Sequence, residues 1–146
     1  MSLVRGRTTA KAIASFGSFR RRFPSAVRGA LTDIGKKNEG TARGLILSKR
    51  KTGRVYSVVV RGRRVRHRAS APGESPANLS GNLQRSIGFK VIGFNQLIFG
   101  ADTEYAGFLE KGTKRMGKRP YLIVAIEKNS GYAYNRLSGY VLAELL

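Results

Sequence analysis

The sequence predicts an α+β fold, with a long N-terminal helix and C-terminal helices packed on a small antiparallel sheet of two β-hairpins. Three observations carry that expectation. Apolar residues after Pro24 recur at helical spacing, two segments centred near Gly62 and Gly93 read as strand–turn–strand, and helical spacing returns after Glu104. At 146 residues the chain is one domain's worth of sequence. The division expected is a basic N-terminal arm over residues 1–23 and a single α+β domain over 24–146.

In the arm, Ile13, Phe16 and Phe19 form at most a short amphipathic turn that Gly17 weakens, so a mobile tail is expected. From Pro24 to about Ser48 the spacing of Val27, Leu31, Ile34, Ala42 and Leu45 predicts a helix. Gly29, Gly35, Gly40 and Gly44 each cost it about 1 kcal/mol relative to Ala, so packing must supply its stability. Val55–Val60 is a β-branched strand, Arg61-Gly62-Arg63 a turn, and Arg64–Arg68 the return. Val65 and His67 alternate there with Arg64, Arg66 and Arg68, which makes one face of the ribbon cationic.

The segment from Ala69 to Ile87 is small, nearly uncharged and punctuated by Pro72 and Pro76. Those prolines favour extended geometry, and the expectation is a loop that neither fills the core nor forms a helix, suited to lying against another subunit. Next comes the clearest hairpin, with Ile87, Phe89 and Val91 facing inward, a turn at Gly93–Gln96 and a return through Leu97–Gly100. Tyr105, Phe108 and Leu109 share one face of a helical turn that Gly112 stops. A basic loop follows over 114–119. Pro120 then opens a helix whose inward residues are Leu122, Ala125 and Ile126, with a strand as the alternative. Leu137, Tyr140, Val141 and Leu145 mark a terminal amphipathic helix.

Charge is the strongest compositional signal. The net formal charge is +20, and residues 1–73 hold 19 Lys/Arg against only Asp33 and Glu39. A half this basic meets a polyanion, meets an acidic protein surface, or is partly disordered. With no cysteine in the chain, disulfides and thiolate chemistry are excluded. The longest apolar run, Tyr121–Ile126, is far short of the roughly 20 residues a membrane span needs, so no membrane partner is expected.

No enzymatic constellation emerges, and neither a cofactor nor a metal is expected. His67, the single histidine, sits among arginines with no acid nearby in sequence to orient it as a base. The acids are dispersed, and Gly112-Thr113-Lys114 has the wrong order for a phosphate loop. A nucleic-acid-binding protein acting through the Arg-rich hairpin is the alternative function. Arg61, Arg63, Arg64, Arg66 and Arg68, with Lys49, Arg50, Lys51 and Arg54 upstream, suffice to neutralise several phosphates. Aromatic residues do not interleave with them as a stacking platform requires.

Three boxes in order carry a resemblance. Pro72-Gly73-Glu74-Ser75-Pro76 leads into Ser80-Gly81-Asn82-Leu83-Gln84-Arg85-Ser86-Ile87. Tyr105-Ala106 precedes Leu109-Glu110-Lys111-Gly112-Thr113, and Met116 precedes Arg119-Pro120-Tyr121-Leu122. Over about residues 53–126 this resembles the gene-product-ten-like family of tailed-bacteriophage tail-completion and head–tail joining proteins. Ser80 and Tyr121 stand where that family usually has Thr and Phe. The resemblance implies a non-enzymatic structural subunit of a homo-oligomeric neck ring, usually hexameric, assembled in the host cytoplasm and carried in the virion. Such a ring terminates the tail tube, joins it to the head–tail connector or stopper, and passes genomic DNA through its lumen. On that reading Leu83, Ile87, Tyr105, Leu109, Gly112, Thr113, Pro120 and Tyr121 are packing residues of the boxes. Arg63, Arg64, Arg66, Arg68, Pro72, Glu74, Pro76 and Glu110 are the candidates for subunit or partner contact. For Glu110, pairing with a neighbour's arginine and pairing within its own subunit are equally open.

Overall fold

The computed structural model describes residues 7–145, with side chains described from Arg22 onward except Val141, Glu144 and Leu145. Its order is α1 (Arg7–Leu47), β1 (Val55–Val60), β2 (Arg63–Arg68), α2 (Asn82–Ser86), β3 (Ile87–Ile92), β4 (Gln96–Ala101), α3 (Ala106–Lys111), α4 (Leu122–Lys128) and α5 (Ser130–Leu145). The expected α+β class holds. The two antiparallel hairpins stay separate, each a two-stranded sheet.

Helix α1 is the spine, about 60 Å long at 1.5 Å per residue. It starts at Arg7 and not at Pro24, so residues 7–23 are helical rather than a tail; residues 1–6 of the expected arm lie outside the described residues. Pro24 sits inside the helix and has no N–H to donate back to residue 20. One residue on, the Ser25 hydroxyl donates to the Arg22 carbonyl at 2.7 Å. Arg and Ala are good helix formers, and a strong run of them on the N-terminal side outweighs one lost bond.

The buried stripe of α1 also differs from the expected one. Ala30, Ile34, Asn38, Ala42 and Ile46 are buried, each four residues from the last, while Val27, Leu31 and Leu45 are half-buried. Ile34 and Ala42 are as expected; the positions missed are Ala30, Asn38 and Ile46, and Ala30 and Ala42 are small enough to let neighbours approach. The closest approach is at Gly35, where any Cβ would overlap the Phe89 ring of β3. α1 carries β3 and β4 along one side and α4 and α5 along another. Ile87, Phe89 and Val91 pair across the ladder with Ala101, Phe99 and Leu97 and form the inward face of the second hairpin, as expected.

The core is small. Ala42, Ile46, Leu83, Ile87, Ala106, Tyr121 and Ala125 form it, with Leu45, Phe99, Ala101, Leu109 and Leu122 packed around. The segment from Ala69 to Ile87 is a correction: expected to form neither helix nor core, it contributes the short helix α2, and Leu83 within it is a core residue, in line with its expected packing role. Both prolines lie upstream of Gly81, whose positive φ of 79° ends the loop and whose carbonyl accepts the N–H of Arg85. Nothing after it opposes a helical turn. α4 is a helix, not a strand, but Ile126 is exposed and Tyr121, just before it, is fully buried. In α3 the residue fully inside is Ala106, while Phe108 is 58% exposed and Tyr105 is largely exposed. A six-residue helix reaches the body through one side only, here Ala106 and Leu109. α5 lies along α1 with Leu137 and Tyr140 half-buried; the side chains of Val141 and Leu145 are outside the described residues.

Candidate functional site

The three sequence boxes, distant in the chain, are tied into one knot at the surface. The Gly73 N–H donates to the Lys118 carbonyl at 2.8 Å, and Pro72 packs against Gly117. The Ser75 hydroxyl donates to the Pro120 carbonyl at 3.1 Å, and Arg119 Nε donates to the Ser70 carbonyl at 3.3 Å. Arg119 also donates its backbone N–H to the Leu109 carbonyl at 2.7 Å, which joins the third box to the second. Pro76 is buried within this arrangement.

Both carboxylates of the boxes face inward to their own chain. Glu110 accepts the backbone N–H groups of Tyr121, Leu122 and Ile123 at 2.9 to 3.1 Å. These are orphan donors at the start of α4, and an anion there also complements the helix dipole. Of the two roles open for Glu110, the structure gives the one within its own subunit. Glu74 accepts the N–H of Ala71 at 2.9 Å and both the N–H and the hydroxyl of Thr52. Those hydrogen bonds, first from the Thr52 hydroxyl and then from the two backbone groups, hold its pKa down to about 2.

Gly112 and Thr113 shape the turn between α3 and the basic loop. Gly112 has φ 78°, and a Cβ there would lie 2.9 Å from Lys118 N and Met116 O. The Thr113 hydroxyl accepts the N–H of Arg115 and of Met116. Lys51 was not singled out as a box residue, yet it clamps the knot to α1. Its ammonium donates to the Leu45 carbonyl at 3.0 Å and the Ser75 carbonyl at 2.7 Å, and burial lowers its pKa. Only contacts far apart in sequence reveal that role. The same holds for two links between α1 and the C-terminal helices. Asn129 donates to Asn38 and Thr41, each at 2.9 Å, and Arg136 Nε donates to Asp33 at 2.9 Å.

The first hairpin has a different character. Arg61 and Gly62 take φ of 51° and 76°, as a two-residue type I′ turn requires, so Arg63 already belongs to β2. Pairing of Val55 with Arg68, Ser57 with Arg66 and Val59 with Arg64 puts three arginines on one face. The other face carries Tyr56, Val58, Val60, Val65, His67 and Arg63. The structure thus separates Arg63 from the other three candidate arginines. His67 is half-buried and meets the Tyr56 ring edge-on, centroids 5.5 Å apart.

Only the hairpin's base is tied down, by backbone bonds between Gly53 and Ala69 and between Ala69 and Arg54. Beyond that the strands pair with each other and make no extended contact with another helix or strand. The hairpin's second face overhangs a groove of about 570 Å³ lined by Val60, Val65 and Leu79 together with Arg61, Arg63 and His67. His67, Asn78 and Leu79 also line an adjoining recess of about 330 Å³ that runs past Pro76 to Tyr105 and Arg119.

Among the described residues there is no group of three His, Cys, Asp or Glu able to hold a metal ion, and no helix long and apolar enough to cross a membrane. Comparison with protein-family models, with curated proteins and with solved structures finds no match.

Proposed function

We propose that this chain is a structural subunit of a bacteriophage neck ring, a tail-completion or tail-terminator protein that caps the tail tube and joins it to the head connector. The observation that carries the reading is the knot. Residues of all three resembling boxes bond to one another, and that clustering supports reading them together. Pro72, Gly73, Ser75, Arg119 and Pro120 are spent on holding that cluster together.

Two further features favour assembly over a solitary life. The core among the described residues is nine buried residues, four of them alanine, while fifteen large apolar residues are exposed. That is a small core for a chain of this length and a large apolar surface for a monomer. Each two-stranded sheet also leaves the outer edges of both its strands unpaired, and closing a ring is one way of covering such edges. In this reading the hairpin and its groove make the contacts, while Glu74, Pro76 and Glu110 support them from inside the subunit.

The test is imaging and native mass spectrometry of the purified protein, with electron microscopy of phage lacking it. Closed rings of uniform stoichiometry, and particles with unjoined tails or tails of uncontrolled length, are expected. A stable monomer at high concentration, or normal infectious particles without the protein, rejects the reading.

A further inference from the structure

Among the described residues, three arginines of β2 have little part in holding the fold together. Arg64, Arg66 and Arg68 are exposed, and neither ion pair described between side chains, Arg43 with Glu39 and Arg136 with Asp33, involves them. The sole hydrogen bond described for any of the three runs from Arg68 to the Gly53 carbonyl at 3.4 Å. Their cross-strand partners are Val59, Ser57 and Val55, so no carboxylate shares the face. Three like charges in a row repel one another, and a fold that keeps them together without acids has left that repulsion for something else to relieve.

Geometry narrows what that is. Same-face residues of a strand repeat every ~6.8 Å, two rises of ~3.4 Å. A duplex presents a dense, regular row of phosphates, about one negative charge per 1.7 Å of its axis, so a row of guanidinium groups meets more than one of them. Guanidinium groups bind phosphate through paired donors. Apart from the arginines, which can contact guanine as well as phosphate, the same face offers only the Ser57 hydroxyl and no amide or carboxylate, so it has little with which to tell one sequence from another. It also lacks stacking groups, because Tyr56 and His67 are on the opposite face. Single strands are held by such stacking, so its absence favours a duplex.

We propose that the Arg64–Arg66–Arg68 face of the first hairpin grips the phosphate backbone of duplex DNA without reading its sequence. Identifying that duplex as the genome inside a neck rests on the ring reading above; the contact itself does not. The two faces of the hairpin then divide the work, arginines toward the polyanion and Tyr56, Val60 and Val65 toward the groove.

The experiment measures binding of the full chain to two 30-base-pair DNA duplexes of unrelated sequence over a salt series, with ring formation scored on the same samples by native mass spectrometry. Both duplexes should bind alike. The variant R64A/R66A/R68A should lower the slope of log K against log salt by about 2.7, three phosphate contacts at about 0.9 each. Removing equal charge elsewhere, by K111A/K114A/R115A, should change the slope by less than about 1. R64K/R66K/R68K should keep most of it, which guards against misfolding of the alanine variant. Equal losses from the two alanine triples, tighter binding to single-stranded thymidine 30-mer or to an RNA duplex, or displacement of the duplex by polyglutamate at matched charge would each overturn the proposal. Rings that form normally while the slope is lost confirm the contact and leave assembly standing. Absent rings with an intact, arginine-dependent slope reject assembly and keep the contact.

Discussion

The knot and the first hairpin are adjacent in sequence yet built on opposite principles. In the knot nearly every polar group is answered by the chain itself, with Glu74, Glu110, Ser75, Lys51 and Arg119 each bonded to backbone. In the hairpin the strands answer each other and little else, leaving Val59 67% exposed and three arginines without acids. A group already satisfied at home has little left to offer a partner. Candidate contact residues are therefore better sought where the chain leaves chemistry unspent, and that moves Glu74, Pro76 and Glu110 from contact to support.

The comparison breaks most visibly at Tyr121. Its ring is fully buried against the core, and burial, ahead of the neighbouring charge of Glu110, pushes its phenol well above its ordinary pKa. Tyr121→Ala should cost about 3–5 kcal/mol, as deletion of a large buried aromatic does, read as a fall in the denaturant midpoint. Tyr121→Phe should cost little or stabilise, because the buried hydroxyl has no hydrogen-bond partner. A loss under about 1 kcal/mol for the alanine variant would mean that the knot is not anchored in the core.

Glu110 ranks next. Glu110→Ala strips three backbone donors of their acceptor at the start of α4 and should cost about 2 kcal/mol, with faster amide exchange at Tyr121, Leu122 and Ile123. Under a role only in subunit contact, monomer stability would not change and ring formation alone would suffer.

Elements whose periodicity comes from large apolar residues were legible in the sequence. The strands of both hairpins, the inward set Ile87, Phe89 and Val91, the stop at Gly112 and the helix after Pro120 all follow from local spacing and turn chemistry. Misread positions share a cause: their burial is decided by what arrives from far along the chain. Ala30 and Asn38 look neutral until β3, α4 and α5 pack on α1, and Phe108 looks like core until α3 proves too short to turn that side inward. In the site, the boxes were readable as strings, but the direction of their carboxylates was not. Glu110 lies 11 residues before the first N–H that it caps, and Glu74 lies 22 after Thr52.

Acid should loosen the knot before it touches the hairpin. Glu74 has its pKa lowered from 4.5 to about 2, and Asp33 is lowered too, chiefly by its hydrogen bonds from Arg136. A depressed carboxylate contributes stability that is complete above its unfolded pKa and is lost as pH falls through the folded one. The stability gap between the parent and Glu74→Gln should thus be constant above about pH 4.5 and shrink toward about pH 2. Amide protection at Ala71 and Thr52 should fall over the same window. A gap independent of pH would show that the glutamine makes the same bonds, so that charge at this position is incidental.

The smallest effect is expected where the sequence looks most extreme. Among the described residues Arg64, Arg66 and Arg68 make no ion pair, and they cover little of their own fold. Replacing all three with Ala should therefore change unfolding free energy by no more than about 0.5 kcal/mol, and relief of like-charge repulsion gives that change a stabilising sign at low salt. The shift should fade as salt rises, because it is a screened surface effect. Arg136, equally cationic but bonded to Asp33 across α1 and α5, supplies the control: Arg136→Ala should lower the melting temperature, opposite in sign to the hairpin triple at low salt. If both changes destabilise alike, the hairpin arginines are already employed in the monomer, and the division between a self-satisfied knot and an outward-facing hairpin fails.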